Sequence, residues 1–443
     1  MKNISLTPPE WFARSAVYQV NLRTFSKEGT IKSLTAETEF LKSLGFGTVY
    51  LCPIFCEDNS EDRKCWSERQ IKSETENPKN PYRINDYFFI DSEYGTMEDL
   101  AEFVETAHKN GIRVLLDLVY AHIGPNAPII RRHPEFVKQT AEGETVYTEW
   151  NFPALDFNCP GLREYLYCNM VYYVGVVGVD GFRCDVGDAV PGDFWLEARR
   201  RIRTVKPDAV LINEGDKVGR LAVSFDSTYF FAWHEMLYKI FCSGESAEIL
   251  RQTDEQMTEK LPKGGKLMRD IDNHDTVTDW PQRTENAAGH DAMEQIEVIN
   301  YLADGIPMVY CGNEIACGAK LSLFANRFHM GKFEVTDREN KSAPAALRRQ
   351  SVIKMLNDLK RDSDILRHGD MKWLDNNAAQ SVISFERTYG GEGLVFVGNA
   401  KDSAVSVKTD GAIGGEVLFS NGFDGIDNGE IKLSERGYVV IKK

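Results

Sequence analysis

The chain has 443 residues, 42% apolar and 27% charged, and a formal net charge of −15. Such a charge repels nucleic acid and anionic membrane surfaces, so neither is expected as a partner and a neutral substrate is. The length implies one large domain with one or two smaller ones, and no window approaches 18 uninterrupted apolar residues, so no membrane span is expected.

At the start, MKNISLTPPEWFARS carries no apolar export core, and the nine cysteines (52, 56, 65, 159, 168, 184, 242, 311 and 317) follow no repeated spacing. Both point to reduced thiols and a cytoplasmic location. Short apolar runs follow in order at 16–20, 47–54, 113–120, 179–186, 209–214, 223–231, 266–272 and 307–311, each of a length suited to a buried strand. Between them lie amphipathic stretches. MEDLAEFVETAHKNG places Leu100, Phe103, Val104 and Ala107 at helical spacing and stops on Gly111. GDFWLEARRRIRTVKP and AMEQIEVINYLADG read the same way. Eight strands alternating with helices predict an α/β fold, a closed (β/α)8 TIM barrel; the open doubly wound sheet is disfavoured because no GxGxxG follows any strand. Residues 56–80 read as a long polar loop at the functional face, and 123–160 as a short insertion after the third strand. From about Gly369 short alternating strands broken by Gly, Asn and Asp predict a small C-terminal antiparallel β domain. The expected domains are thus a barrel over 1–122 and 161–365, the insertion 123–160, and a β-sandwich over 366–443.

One stretch stands out. VDGFRCDVGDAV (179–190) puts two charges, Arg183 and Asp185, at the end of an apolar run. On a strand these share a face, with Phe182 and Cys184 on the other. The apolar pair suits the helix side, so Arg183 and Asp185 point to the barrel axis, at the end where barrel active sites lie. Other strand ends repeat the pattern: Asp117 and His122 after the third, Glu214 after the fifth, His274 and Asp275 after the seventh. Each alone reads most simply as a cap or ion pair; four at one mouth point to chemistry. Paired carboxylates in a sugar-sized cleft suit glycosidic bond cleavage, one attacking the anomeric carbon and the other protonating the leaving oxygen. Arg183 would lower the pKa of Asp185 and keep it ionised as nucleophile, and Glu214, with no adjacent cation, suits the acid. Assembled as ligands, His122, Asp185, His274 and Asp275 would instead suggest a metal-dependent hydrolase, but the arginine among them would repel a cation.

Together DLVYAH (117–122), GFRCD (181–185), NEG around Glu214 and DNHD (272–275) resemble the α-amylase family, glycoside hydrolase family thirteen. NPYRINDY (80–87), YGTMEDL (94–100) and GIPMVYCGNE (305–314) match its flanking patterns, and the resemblance covers about residues 15–315. It implies a retaining enzyme cleaving α-1,4 or α-1,6 bonds of maltooligosaccharides or related glucosides through a covalent glycosyl-enzyme. Asp185 would be the nucleophile, Glu214 the acid/base and Asp275 the stabiliser of the distorted sugar. His122, Arg183 and His274 would contact that sugar's hydroxyls, Tyr82 would stack on it, and Asp117 would support Arg183. Transglycosylation or isomerisation by the same intermediate is the nearest alternative; a non-catalytic carbohydrate-binding relative is disfavoured because all three carboxylates are present.

Several positions depart from the family. Ala121 stands where an Asn usually binds calcium, so no cofactor or metal is expected. Asp188 and Ala189 replace a Lys-His pair of many starch-cleaving members, and Val186 is similar to members acting on α-1,6 bonds. Lys79 stands where many exo-acting glucosidases are acidic. Trp66, Trp150 and Trp280 are further aromatic candidates for sugar stacking, whereas His234, His290, His329 and His368 have no motif context. The partner expected is an oligosaccharide or polysaccharide substrate; linkage, chain length and oligomeric state have no signature in the sequence.

Overall fold

A computed structural model describes residues 3–410 and 414–443; the parts of the expected domains at 1–2 and 411–413 lie outside it. Ten strands come first: β1 (Val17–Val20), β2 (Thr48–Leu51), β3 (Phe55–Glu57), β4 (Ile84–Ile90), β5 (Arg113–Leu118), β6 (Gly181–Cys184), β7 (Val210–Asn213), β8 (Ser227–Tyr229), β9 (Leu267–Arg269) and β10 (Ile306–Tyr310). Eight of them close a parallel barrel in the order β1-β10-β9-β8-β7-β6-β5-β2, and these are the eight apolar runs read from the sequence. Their alternation builds two cores. Val17, Tyr50, Leu115, Val210, Ile212, Tyr229, Met268 and Met308 fill the barrel, with Phe12 of the helix Glu10–Ala13 packed among them. Tyr18, Val49, Leu116, Phe182, Leu211 and Val309 face outward into the layer shared with the helices. Gly181 is required by the closure: a Cβ there would lie 2.1 Å from the Val210 carbonyl oxygen, at a φ of +150°.

The predicted helices lie at Met97–Lys109, Gly192–Val205 and His290–Leu302. The first is held by a capping box of Thr96 and Asp99. Where the sequence suggested a polar loop over 56–80, the structure has the antiparallel pair β3–β4, a 3-10 turn at Arg63–Cys65 and a helix at Glu68–Ser73. These pieces are too short to show a period, and their polar residues serve as caps: Asp62 accepts from the Lys64 N–H and Ser67 from the Gln70 N–H. The insertion holds the helix Pro128–Arg132 and isolated bridges such as Val137–Leu155.

Six further strands follow: β11 (Asp370–Trp373), β12 (Val382–Tyr389), β13 (Glu392–Asn399), β14 (Val405–Val407), β15 (Glu416–Asp427) and β16 (Glu430–Lys442). They form one antiparallel sheet, in which β16 carries β13 and β14 on one edge and β15 on the other. One face, with Phe385, Phe396 and Val440, joins the core shared with the barrel; the other, with Val395, Val397, Ile431 and Val439, forms a separate core. β15 runs well past the expected EVLFS because its Asn and Gly residues are absorbed as register shifts rather than ending the strand. Among the described residues, no helix is long and apolar enough to cross a membrane, and all nine cysteines are free.

Candidate active site

The barrel's C-terminal mouth is where the inward row becomes polar. Asp117 and Arg183 are register neighbours across β5 and β6, both almost fully buried. One row toward the opposite end the same alternation gives Leu115 and Gly181. Arg183 Nη1 donates to Asp117 Oδ1 at 2.7 Å and to Asp185 Oδ1 at 2.9 Å, while Nη2 pairs with Glu214 Oε1. Three carboxylates from three successive strand ends thus share one guanidinium, itself flanked at 5.8 Å by the rings of Tyr82 and Tyr229. Asp117 is further held by the hydroxyls of Tyr50 (2.6 Å) and Tyr82 (3.1 Å) on Oδ2. The Val186 N–H donates to Glu214 Oε2 at 2.7 Å.

This geometry corrects two expectations: Glu214, read as having no adjacent cation, is paired with Arg183 because the strand ends converge on it, and the second concerns Asp185. Arg183 alone does not set the state of Asp185. Burial pushes the Asp185 carboxyl well above its ordinary value, against the pull of Arg183 and with the repulsion of Glu214 and Asp117. A cluster of three carboxylates and one cation is under-neutralised, and a proton relieves it.

Asp275, after β9, is treated oppositely. Burial raises its carboxyl, but His274 and the Arg69 guanidinium outweigh that and hold it below the usual carboxylate range. Arg69 Nη2 donates to Asp275 Oδ1 at 2.8 Å and also pairs with Asp279 at 2.9 Å. It comes from the helix Glu68–Ser73, inside the segment that read as a loop. The sequence reading missed Arg69. Its partner lies more than 200 positions away and no motif surrounds it.

Gln19 was missed as well. Its amide nitrogen lies 2.8 Å from His274 Nδ1, leaving His274 Nε2 to donate to the Tyr82 hydroxyl at 2.7 Å, which in turn donates to Asp117. Burial lowers the pKa of His274, and it carries that of His122 down to about 4. A neutral His122 donates from Nε2 to the Tyr82 carbonyl at 2.9 Å, and its Nδ1 is buried without a partner among the described residues. Tyr82 stacks on His274 at 5.5 Å.

Asp185, Glu214, Asp275, His122, His274, Tyr82 and Arg69 line one open cleft, and Asp117, Arg183 and Gln19 are buried behind it. Its walls come from Ser67, Arg69 and Asn80 on one side, Trp150 and Phe152 on another, and Leu323 and Phe324 beyond β10. Of the three tryptophans considered, only Trp150 reaches this wall. Trp66 is buried with its indole N–H on the Ser60 carbonyl, and Trp280 packs on Tyr238 and His234. Lys79 turns from the cavity to Asp91, at 2.5 Å. His234 is buried against Asp270 at 3.1 Å, a structural pair.

At position 121 the side chain does not fit the calcium ligand of the family pattern. Ala121 has no side-chain oxygen, and its carbonyl accepts the Leu155 N–H at 3.2 Å. Among the described residues no group of three or more His, Cys, Asp or Glu side chains is arranged to hold a metal ion.

A family model described as the alpha amylase catalytic domain matches residues 8–152. That stretch contains Tyr82, Asp117 and His122 and ends before Asp185. Among curated proteins, the chain is 25% identical over 334 residues to alpha-amylase MalA of Haloarcula japonica, covering 69% of this chain and 45% of that protein. It is 22% identical over 450 residues to a cyclomaltodextrinase of Thermoanaerobacter pseudethanolicus, covering 88% and 71%. The chain therefore spans from under half to about seven tenths of the length of these relatives. Among solved structures, a noncanonic maltogenic alpha-amylase, AmyB of Thermotoga neapolitana, superposes with a TM-score of 0.78 at 25% identity, over 98% of this chain and 97% of that one. An alpha-amylase from Lactobacillus plantarum shares the fold, with a TM-score of 0.78 at 23% identity over 98% and 100%.

Proposed function

We propose, for a chain that belongs to the α-amylase family, that it is a retaining glycoside hydrolase acting on α-1,4 or α-1,6 glucosidic bonds of maltooligosaccharides or related α-glucosides. The observation that carries this reading is the sharing of one buried guanidinium by Asp185 and Glu214, two carboxylates that line the same open cleft.

In the first step an Asp185 oxygen attacks the anomeric carbon as the bond to the leaving oxygen breaks, and Glu214 gives that oxygen its proton. The products are a glycosyl ester on Asp185 and the released alcohol. In the second, Glu214 takes a proton from water, the water oxygen attacks the same carbon, and Asp185 leaves. The shared guanidinium suits this exchange. The proton the cluster holds sits on Glu214, the acid, which leaves Asp185 ionised for the attack; as Asp185 loses its charge to the ester, Arg183 remains bonded to Asp117 and paired with Glu214, which has just become a carboxylate. Asp275, kept ionised by Arg69, accepts hydrogen bonds from hydroxyls of the distorted sugar, and His122 and His274, both neutral, line the same subsite. Trp150 and Phe324 offer apolar surface to sugar faces. No step draws on a metal. The free cysteines fit a reducing, cytoplasmic setting.

The test is product analysis over time with purified protein on maltoheptaose, isomaltotriose, panose, sucrose and trehalose. Shorter glucose oligomers from one linkage type support hydrolysis and name the bond. Longer products or isomers would replace hydrolysis by transfer, and no reaction on any substrate would overturn the reading.

A further inference from the structure

Asp188 is one of the positions that depart from the family pattern. It sits in the 3-10 turn Gly187–Ala189, immediately after Asp185 and Val186. Its carboxylate is spent on the loop after β7, the loop that carries Glu214. Oδ2 accepts the backbone N–H groups of Asp216 at 2.8 Å and Lys217 at 2.9 Å, and Oδ1 accepts from Asn213 Nδ2 at 3.1 Å. Lys217 Nζ and Arg220 Nη2 return to the Asp188 carbonyl at 2.9 and 3.3 Å. The residues before and after Glu214 are therefore both tied to one side chain.

Across the loop, the Thr228 hydroxyl donates to the Gly215 carbonyl at 2.7 Å. Turn and loop press together at Gly215, where a Cβ would lie 2.3 Å from the Asp188 carboxylate. The same turn reaches the acid's side chain, because the Val186 N–H sits on Glu214 Oε2. To present that N–H, Val186 adopts φ +40° and ψ +44°, a left-handed conformation that a β-branched residue avoids unless its surroundings impose it. The turn is held at Gly187, whose carbonyl accepts from Trp195 Nε1 at 2.9 Å and from Arg220 Nη1, and at Asp188 through the loop after β7.

We infer that Asp188 is a positioning residue for Glu214: it clamps the loop bearing the acid to the turn bearing the nucleophile, so that the reach of the acid's proton to the leaving oxygen is set by the nucleophile's own turn. The inference rests on the reading of Glu214 as the acid. Proton transfer needs hydrogen-bond reach, and a displacement near 1 Å costs about a hundredfold. Asp188 touches no substrate in this assignment. Its loss therefore weakens the step that uses the proton and spares chemistry that does not.

The experiment compares kcat/KM on maltotriose, whose leaving sugar must be protonated, with that on α-maltosyl fluoride, whose fluoride needs little help. For Asp188→Ala the expected loss is about 10- to 100-fold on maltotriose and within about threefold on the fluoride. Asp188→Asn should restore most of the maltotriose rate. Its one oxygen can keep both backbone N–H groups of Asp216 and Lys217, and what it gives up is the contact with Asn213 Nδ2. Gly215→Ala, which pushes the same contact apart from the loop side, should show the same selective loss and covers the case in which Asp188→Ala fails to fold. Equal losses on both substrates in folded variants, or wild-type rates in both alanine variants, overturn the inference. Glu214→Gln, run alongside, separates the two levels: if it loses both substrates alike, the assignment of the acid falls and the inference with it. If it is selective while the folded alanine variants are not, only the role of Asp188 falls.

Discussion

Glu297 offers a quantitative test of how this interior tolerates charge. It lies in the middle of the helix His290–Leu302, fully buried, and neither carboxylate oxygen has a partner among the described residues. Burial pushes its carboxyl up to about 8; Arg349 pulls down, and Glu285, Asp272 and Glu314 push further up. The folded protein therefore holds Glu297 neutral at pH 7, while the unfolded chain ionises it near 4.3. For a carboxyl raised on folding, the unfolded state binds fewer protons over this window, so stability falls as pH rises from about 4.5 toward 8. At about 1.4 kcal/mol per pH unit, the penalty reaches roughly 3 kcal/mol at pH 7. Glu297→Gln removes the ionisation and with it the slope. Its stability relative to wild type should thus improve by about 2–3 kcal/mol between pH 5 and pH 7, on top of a constant offset from the different amide. Urea unfolding at pH 5, 6, 7 and 8 measures this; by heat, 1 kcal/mol corresponds to only about 1 °C for a chain of this length. A difference between the two proteins that stays flat across pH would refute the reasoning.

Other consequences follow from the site and the barrel. Asp185→Asn should abolish turnover, by at least about four orders of magnitude, while leaving the far-ultraviolet circular dichroism unchanged; near wild-type rates would remove Asp185 as nucleophile. Arg69→Gln takes from Asp275 the guanidinium it is paired with and leaves only the weaker pull of Arg183, so its carboxyl should rise toward the ordinary range. The titration of the Asp275 carboxyl, followed by NMR, should then move to higher pH, and kcat/KM should fall by about tenfold or less at pH 7 because the pair is partly exposed; an unmoved titration together with wild-type kcat/KM would show that Arg69 does not act on Asp275. Gly181→Ala forces a Cβ onto the β7 backbone at a φ that L-residues avoid, so it should cost at least about 3 kcal/mol in denaturant unfolding or yield no soluble protein; wild-type stability would contradict the barrel register.

The sequence exposed those parts of the structure whose physics is local. A strand buried on both faces is a short apolar run, and eight such runs separated by amphipathic helices leave little choice of architecture. Arg183 and Asp185 were legible for the same reason: two charges on the inward face of a buried strand need partners, and the only place to find them is on neighbouring strands at the same level. What stayed hidden depends on contacts distant in sequence. The helix Glu68–Ser73 is one and a half turns long, too short for a period, and nothing near Arg69 announces Asp275. Gln19 is a polar residue inside a four-residue strand, and its role needs His274, 255 positions away. The state of Asp185 shows the same limit in energetic form. One adjacent arginine suggests an ionised carboxylate when read along the chain. Folding brings Asp117 and Glu214 to that same arginine and removes the water, so the carboxyl is pushed up where the arginine alone would pull it down, with no change in the local sequence. The charge on a buried group is a property of the cluster and not of its neighbours in the chain, which is why the carboxylates could be named from sequence while the division of proton and charge among them had to wait for their geometry.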